Sequence, residues 1–193
     1  MDANLTPEQS LKLIESMIGQ AKRSFQRMSF YFLLWGGLLL VATLTEYFMG
    51  RAGLPNGWLG WPILGTLGGI IAGVHGAREG RKAGVGTFTD KVFIWVWVAF
   101  TITLVIVIVS SVAVGSKPGP WVSIITGMPT IISGGILRFR PLIIGGILFW
   151  TFGLLSLFVW PDHGALLFGL ALLFGYIVPG ILLKRQEDGL RTA

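Results

Sequence analysis

The sequence predicts an all-α fold, a polytopic membrane bundle of six transmembrane helices preceded by an amphipathic interfacial helix. Three observations lead there. Of 193 residues, 53% are hydrophobic and only 12% are charged, whereas a soluble domain carries roughly a quarter of its residues as Asp, Glu, Lys or Arg. The apolar residues fall into blocks of about 20, the length a helix needs to cross a hydrocarbon core. Runs such as Leu104-Val-Ile-Val-Ile-Val109 lack the alternation of a membrane β-strand, so the backbone must satisfy itself as helix.

Residues 5–27 read as the interfacial helix. Thr6 suits its N-cap, Pro7 its first position, and Gln9 completes a capping box. Leu11, Ile14, Ile18, Ala21 and Phe25 fall on one face, with Lys12, Glu15, Lys22 and Arg23 off that stripe. Such a helix lies in the headgroup region with its bases near anionic lipid. A signal peptide fits less well, because the polar lead is too long and Glu46-Tyr-Phe-Met offers no small-residue cleavage site.

Six spans follow, at about 29–49, 58–76, 92–115, 120–138, 141–160 and 163–183. Pro55-Asn-Gly57, Lys117-Pro-Gly-Pro120 and Pro161-Asp-His163 separate three pairs of them. Arg138-Phe-Arg-Pro141 is so short that the fourth and fifth spans must form a tight antiparallel hairpin. The chain therefore divides into an N-terminal amphipathic segment (1–28), a six-helix domain (29–183) and a short tail (184–193).

Basic residues give the orientation. Lys12, Lys22, Arg23, Arg27, Arg78, Arg81, Lys82, Lys91, Arg138, Arg140, Lys184, Arg185 and Arg191 fall on one side, against only Arg51 and Lys117 on the other. That split places both termini in the cytoplasm and argues against dual topology. Trp58, Trp61, Trp121 and Trp160 cluster at the opposite interface, as an aromatic belt would. The net charge of +6 thus follows topology and calls for no nucleic acid. With no cysteine, disulfides, thiolate catalysis and Cys-ligated metals are excluded.

Several constellations carry candidate roles. Gly65, Gly69 and Gly73 form a doubled GxxxG run on the second span, with Ala72 and Gly76 on an adjacent row. Such runs let helices approach closely, inside one protomer or across a homo-oligomer, and packing inside the bundle is the expectation. On the fourth span Ser123, Thr126, Gly127, Thr130, Ser133 and Gly134 make one small, polar stripe around Pro129. A broken polar helix can line a substrate route, while hydroxyls can equally serve as packing glue. Glu46 is the only carboxylate inside a span and falls near its outer end, within reach of Arg51 or Lys117.

Enzyme chemistry finds no footing. His75 and His163 fall at opposite ends of their spans, so they cannot share a haem or a metal. Ser133 and His163 lie at different depths, which removes an intramembrane serine protease. Gly76-Ala-Arg-Glu-Gly-Arg-Lys82 lacks the Gly-Lys-Ser/Thr order of a phosphate loop.

Leu5-Thr-Pro-Glu-Gln-Ser-Leu, Leu33-Leu-Trp-Gly-Gly37, Arg140-Pro-Leu-Ile-Ile-Gly-Gly146 and Gly175-Tyr-Ile-Val-Pro-Gly-Ile-Leu-Leu-Lys184 together resemble a family of small bacterial inner-membrane proteins with no established activity. The resemblance implies the same architecture and a bacterial inner membrane, and transfers no catalytic residue. The expectation is a non-enzymatic protein without cofactor, an accessory or scaffold subunit of a larger membrane complex or a homo-oligomer. The alternative is a small transporter or channel routed along the fourth span.

Overall fold

The computed structural model describes residues 28–83 and 88–192. Among them every regular element is helical. Helix α1 is Met28–Arg51, and a short 3-10 turn Gly57–Leu59 leads into α2, Gly60–Ala83. Helices α3, α4 and α5 are Phe88–Ala113, Gly119–Ile136 and Arg140–Phe158. After a second 3-10 turn, Pro161–His163, the sixth span runs as α6 (Gly164–Leu172), a π-helical turn (Leu173–Ile177) and α7 (Val178–Thr192). The amphipathic helix expected over 5–27 lies outside the described residues.

Five of these six rods are long and apolar enough to cross a membrane. The sixth, α4, reaches 18 residues, but glycine, proline, serine and threonine dilute its apolarity. It compensates by burial, since Ser123, Thr126, Gly127, Pro129, Thr130, Ser133 and Gly134 are all inside. A helix shielded by its neighbours need not match the lipid. The opposite case is α3, whose apolar stretch is the most hydrophobic and the least buried.

Three helix ends stop in the same way. Leu54 N–H returns to Met49 O and Gly53 N–H to Gly50 O, with Gly53 at φ 66°. Ser116 and Gly115 repeat the pattern on Ser111 and Val112, with Gly115 at φ 69°. Phe139 and Arg138 repeat it on Gly134 and Gly135. Glycine is the ordinary occupant of this left-handed position, yet the third site holds Arg138 at φ 50°. This turn is the tight hairpin expected between the fourth and fifth spans.

The core sits among α1, α4, α5 and the sixth span. Phe149 meets Tyr176 edge-on at 4.9 Å between ring centroids, and Phe32 meets Tyr176 at 5.6 Å. Leu142, Phe168, Ala171, Leu172 and Leu183 fill the space around them. Helix α2 packs on α1 and α3 on α4, so both stand at the periphery.

The π-turn has a local cause. Pro179 has no N–H to return to Gly175, and the turn before it widens, with Val178 N–H donating to Leu173 O five residues back. The carbonyl so released lies against α5, where a Cβ at Gly145 would stand 2.7 Å from Gly175 O. Gly175 in turn accepts the Phe149 ring, which would meet a Cβ there at 2.4 Å. Only glycine at both positions allows these backbones to touch.

The last helix continues through Thr192, so residues 184–192 are helical. Apolarity drops there while the buried face persists, through Pro179, Gly180, Leu183 and Glu187.

Candidate functional site

The polar stripe of α4 is built for closure. Its hydroxyls find partners within the bundle: Thr126 donates to Val122 O at 2.6 Å, Thr130 to Thr126 O at 2.7 Å and Ser133 to Pro129 O at 2.6 Å. These are bonds to the preceding turn of the same helix. Ser123 reaches across to α5 and donates to Phe149 O at 2.8 Å. The Trp150 indole of α5 returns the bond to Ile124 O at 2.9 Å. From the sixth span, the Tyr176 hydroxyl pairs with Thr130.

Glycines bring α4 and α5 into backbone contact along the stripe. A Cβ at Gly127 would stand 2.7 Å from Gly146 O, and one at Gly146 would stand 2.7 Å from Gly127 O. At the far end, a Cβ at Gly134 would be 2.7 Å from Ile143 N. In the similar stretches Ile132-Ser-Gly-Gly-Ile-Leu137 and Ile143-Ile-Gly-Gly-Ile-Leu148, the glycines serve different ends. Gly134 and Gly146 join the α4–α5 seam, Gly145 faces the sixth span, and Gly135 has nothing within 4 Å among the described residues. Pro129 is buried within the same packed seam.

Glu46 stands near the end of α1, exposed, and accepts a hydrogen bond of 2.6 Å from the Trp61 indole. Sequence reasoning offered Arg51 or Lys117 instead. Arg51 lies over the Tyr47 ring, 5.7 Å from its centroid. The turn through Gly57 explains the change of partner. A Cβ at Gly57 would be 3.2 Å from the Glu46 Cα, so the chain is drawn tightly over α1 and delivers Trp61 to the carboxylate.

That bond also sets the rotation of α2. Gly68 lies seven residues after Trp61, on the same face, and a Cβ there would meet Trp35 and Leu38 at 3.0 Å. Gly76 lies beneath the Tyr31 hydroxyl, at 3.1 Å. The row that packs is therefore Gly68, Ala72 and Gly76. Gly65, Gly69 and Gly73, expected to pack inside the bundle, find nothing within 4 Å among the described residues. The contact has moved to the neighbouring row, leaving the doubled GxxxG face open.

His75 and His163 remain apart. His75 stacks on Phe30 with 4.0 Å between centroids and meets Tyr31 edge-on at 5.8 Å. His163 is exposed in the turn before α6. Among the described residues no group of three His, Cys, Asp or Glu could hold a metal ion. Two buried polar atoms, Trp97 Nε1 and Ser156 Oγ, have no hydrogen-bond partner among the described residues.

The residue that sequence reasoning missed is Glu187. It is 4% exposed, and its carboxylate accepts from Ser29 N–H at 3.1 Å and from the Ser29 hydroxyl. Ser29 belongs to α1, so an acid from the last helix is tied to the first described one by two hydrogen bonds. Its signal was the spacing Leu183 to Glu187, one helical turn, hidden within the charged run Lys184-Arg-Gln-Glu-Asp188.

Fold and site together define a multi-pass helical membrane protein in which the α4 hydroxyls bond within the bundle. No protein-family model, curated protein or solved structure matches this chain.

Proposed function

We propose that the protein is a non-enzymatic subunit of the bacterial inner membrane, with both termini in the cytoplasm. It acts as an accessory or scaffold component of a larger membrane complex, or as a homo-oligomer. The observation that carries this reading is the closed state of the α4 stripe. A transport route along it needs polar atoms free to replace water around a substrate. Here Thr126, Thr130 and Ser133 bond their own helix, Ser123 bonds α5, and glycines press the two backbones together.

The open face of α2 supports a partner. Gly65, Gly69 and Gly73 present helix backbone with no neighbour in the protomer among the described residues, a surface suited to close helix–helix approach. The excess of basic residues on one side supports the orientation and contact with anionic headgroups there.

The natural absence of cysteine allows a direct test. Ser133→Cys, in native membranes, is expected to resist a charged methanethiosulfonate reagent until the protein is denatured. Rapid labelling in the folded state would favour the transport route instead. Gentle extraction followed by mass spectrometry then separates the subunit readings. A stoichiometric foreign protein marks an accessory role, and a multiple of the chain's own mass marks a homo-oligomer.

A further inference from the structure

Along the outer seam of α3 and α4 runs a groove of about 550 Å³, a size typical of small-ligand sites. Its walls are apolar, formed by Val92, Val96 and Ala99 of α3 and by Met128 and Ile132 of α4, and Lys91 stands at one end. From Lys91 to Ala99 the helix rises about 12 Å, so the groove descends from the end of a span toward its middle. Trp95 adds an exposed indole one turn below the lysine, at the depth where amphipathic rings settle in a bilayer.

We propose that this groove holds an acyl chain of one anionic glycerophospholipid, with its phosphate at Lys91. The argument is charge complementarity along a single axis. The cation sits where headgroups lie, and the hydrocarbon-lined part sits where chains lie. Asp90, the neighbouring acid, already has an interaction within the chain.

The inference needs the chain to span a bilayer, and does not depend on which side its termini face.

The test is native mass spectrometry of the full chain, delipidated in detergent and titrated with phosphatidylglycerol, phosphatidylcholine or inorganic phosphate. One phosphatidylglycerol is expected to be retained, about fivefold in preference to phosphatidylcholine, as one interfacial cation gives. Lys91→Gln should bring the two lipids to parity, and Lys91→Arg should keep the preference. Ala99→Trp, which fills the groove and leaves the headgroup end intact, should expel both. If it fails to give a monodisperse helical protein, Val96→Phe serves the same purpose. Equal retention of both lipids by the parent chain overturns the proposal. So does undiminished lipid binding after the groove is filled, displacement of the lipid by inorganic phosphate alone, or a second copy of the chain lost when the groove is filled.

Discussion

Ser29 of α1 donates its backbone N–H and its hydroxyl to Glu187, which lies at the other end of the described chain and uses both carboxylate oxygens. Glu187→Ala should lower stability by about 1.5–3 kcal/mol, the range for a hydrogen bond to a charged group. A thermal melt in detergent followed by tryptophan fluorescence reads it. Glu187→Gln keeps one acceptor and should fall between that variant and the parent; an alanine variant that melts with the parent would show that the carboxylate holds nothing. Glu46 makes the contrasting case. It is exposed, and a glutamine oxygen can still accept from Trp61, so Glu46→Gln should change stability by no more than about 0.5 kcal/mol. Loss of the folded peak on size exclusion would count against an interfacial role.

At the scale of the helix, glycines divide by what lies opposite them. Gly145 abuts the Gly175 backbone, while Gly69 has nothing within 4 Å among the described residues. Gly145→Ala should therefore cost about 1–3 kcal/mol through overpacking. Gly69→Ala should be neutral or stabilise the monomer by up to about 1 kcal/mol, since alanine is the better helix former. The same melts compare the two, and a reversed order would overturn the assignment of faces. The sequence made the spans, the tight turn at Arg138–Pro141 and the small-residue character of α4 readable, because length and periodicity carry those features. It did not reveal which glycine row of α2 packs, since adjacent rows differ by one small rotation. That rotation depends on Trp61 meeting Glu46, a contact between two helices. Nor did it reveal the π-turn. Gly175 and Pro179 marked only a kink, and the released carbonyl acquires its role when α5 arrives with Gly145. For the α4 stripe, composition named the residues, and the satisfaction of each hydroxyl came from the assembled bundle.

For the whole molecule, the six crossings we propose would return the chain to the side from which it started. With the basic residues on that side, reporter fusions after Thr192 should behave as cytoplasmic, and fusions inserted at 116–118 as external. The opposite pattern would overturn the proposed orientation. Each peripheral helix has one main neighbour, α2 on α1 and α3 on α4, whereas α1, α4, α5 and the sixth span lock together around Phe149 and Tyr176. The clamp between Ser29 and Glu187 then bears on biosynthesis. During synthesis Ser29 leaves the ribosome before Glu187, which follows 158 residues later, roughly 8–32 seconds at elongation speeds of about 5–20 residues per second. Through that interval the Ser29 N–H and hydroxyl wait without this acceptor, and a chain cut short before Glu187 never closes the clamp.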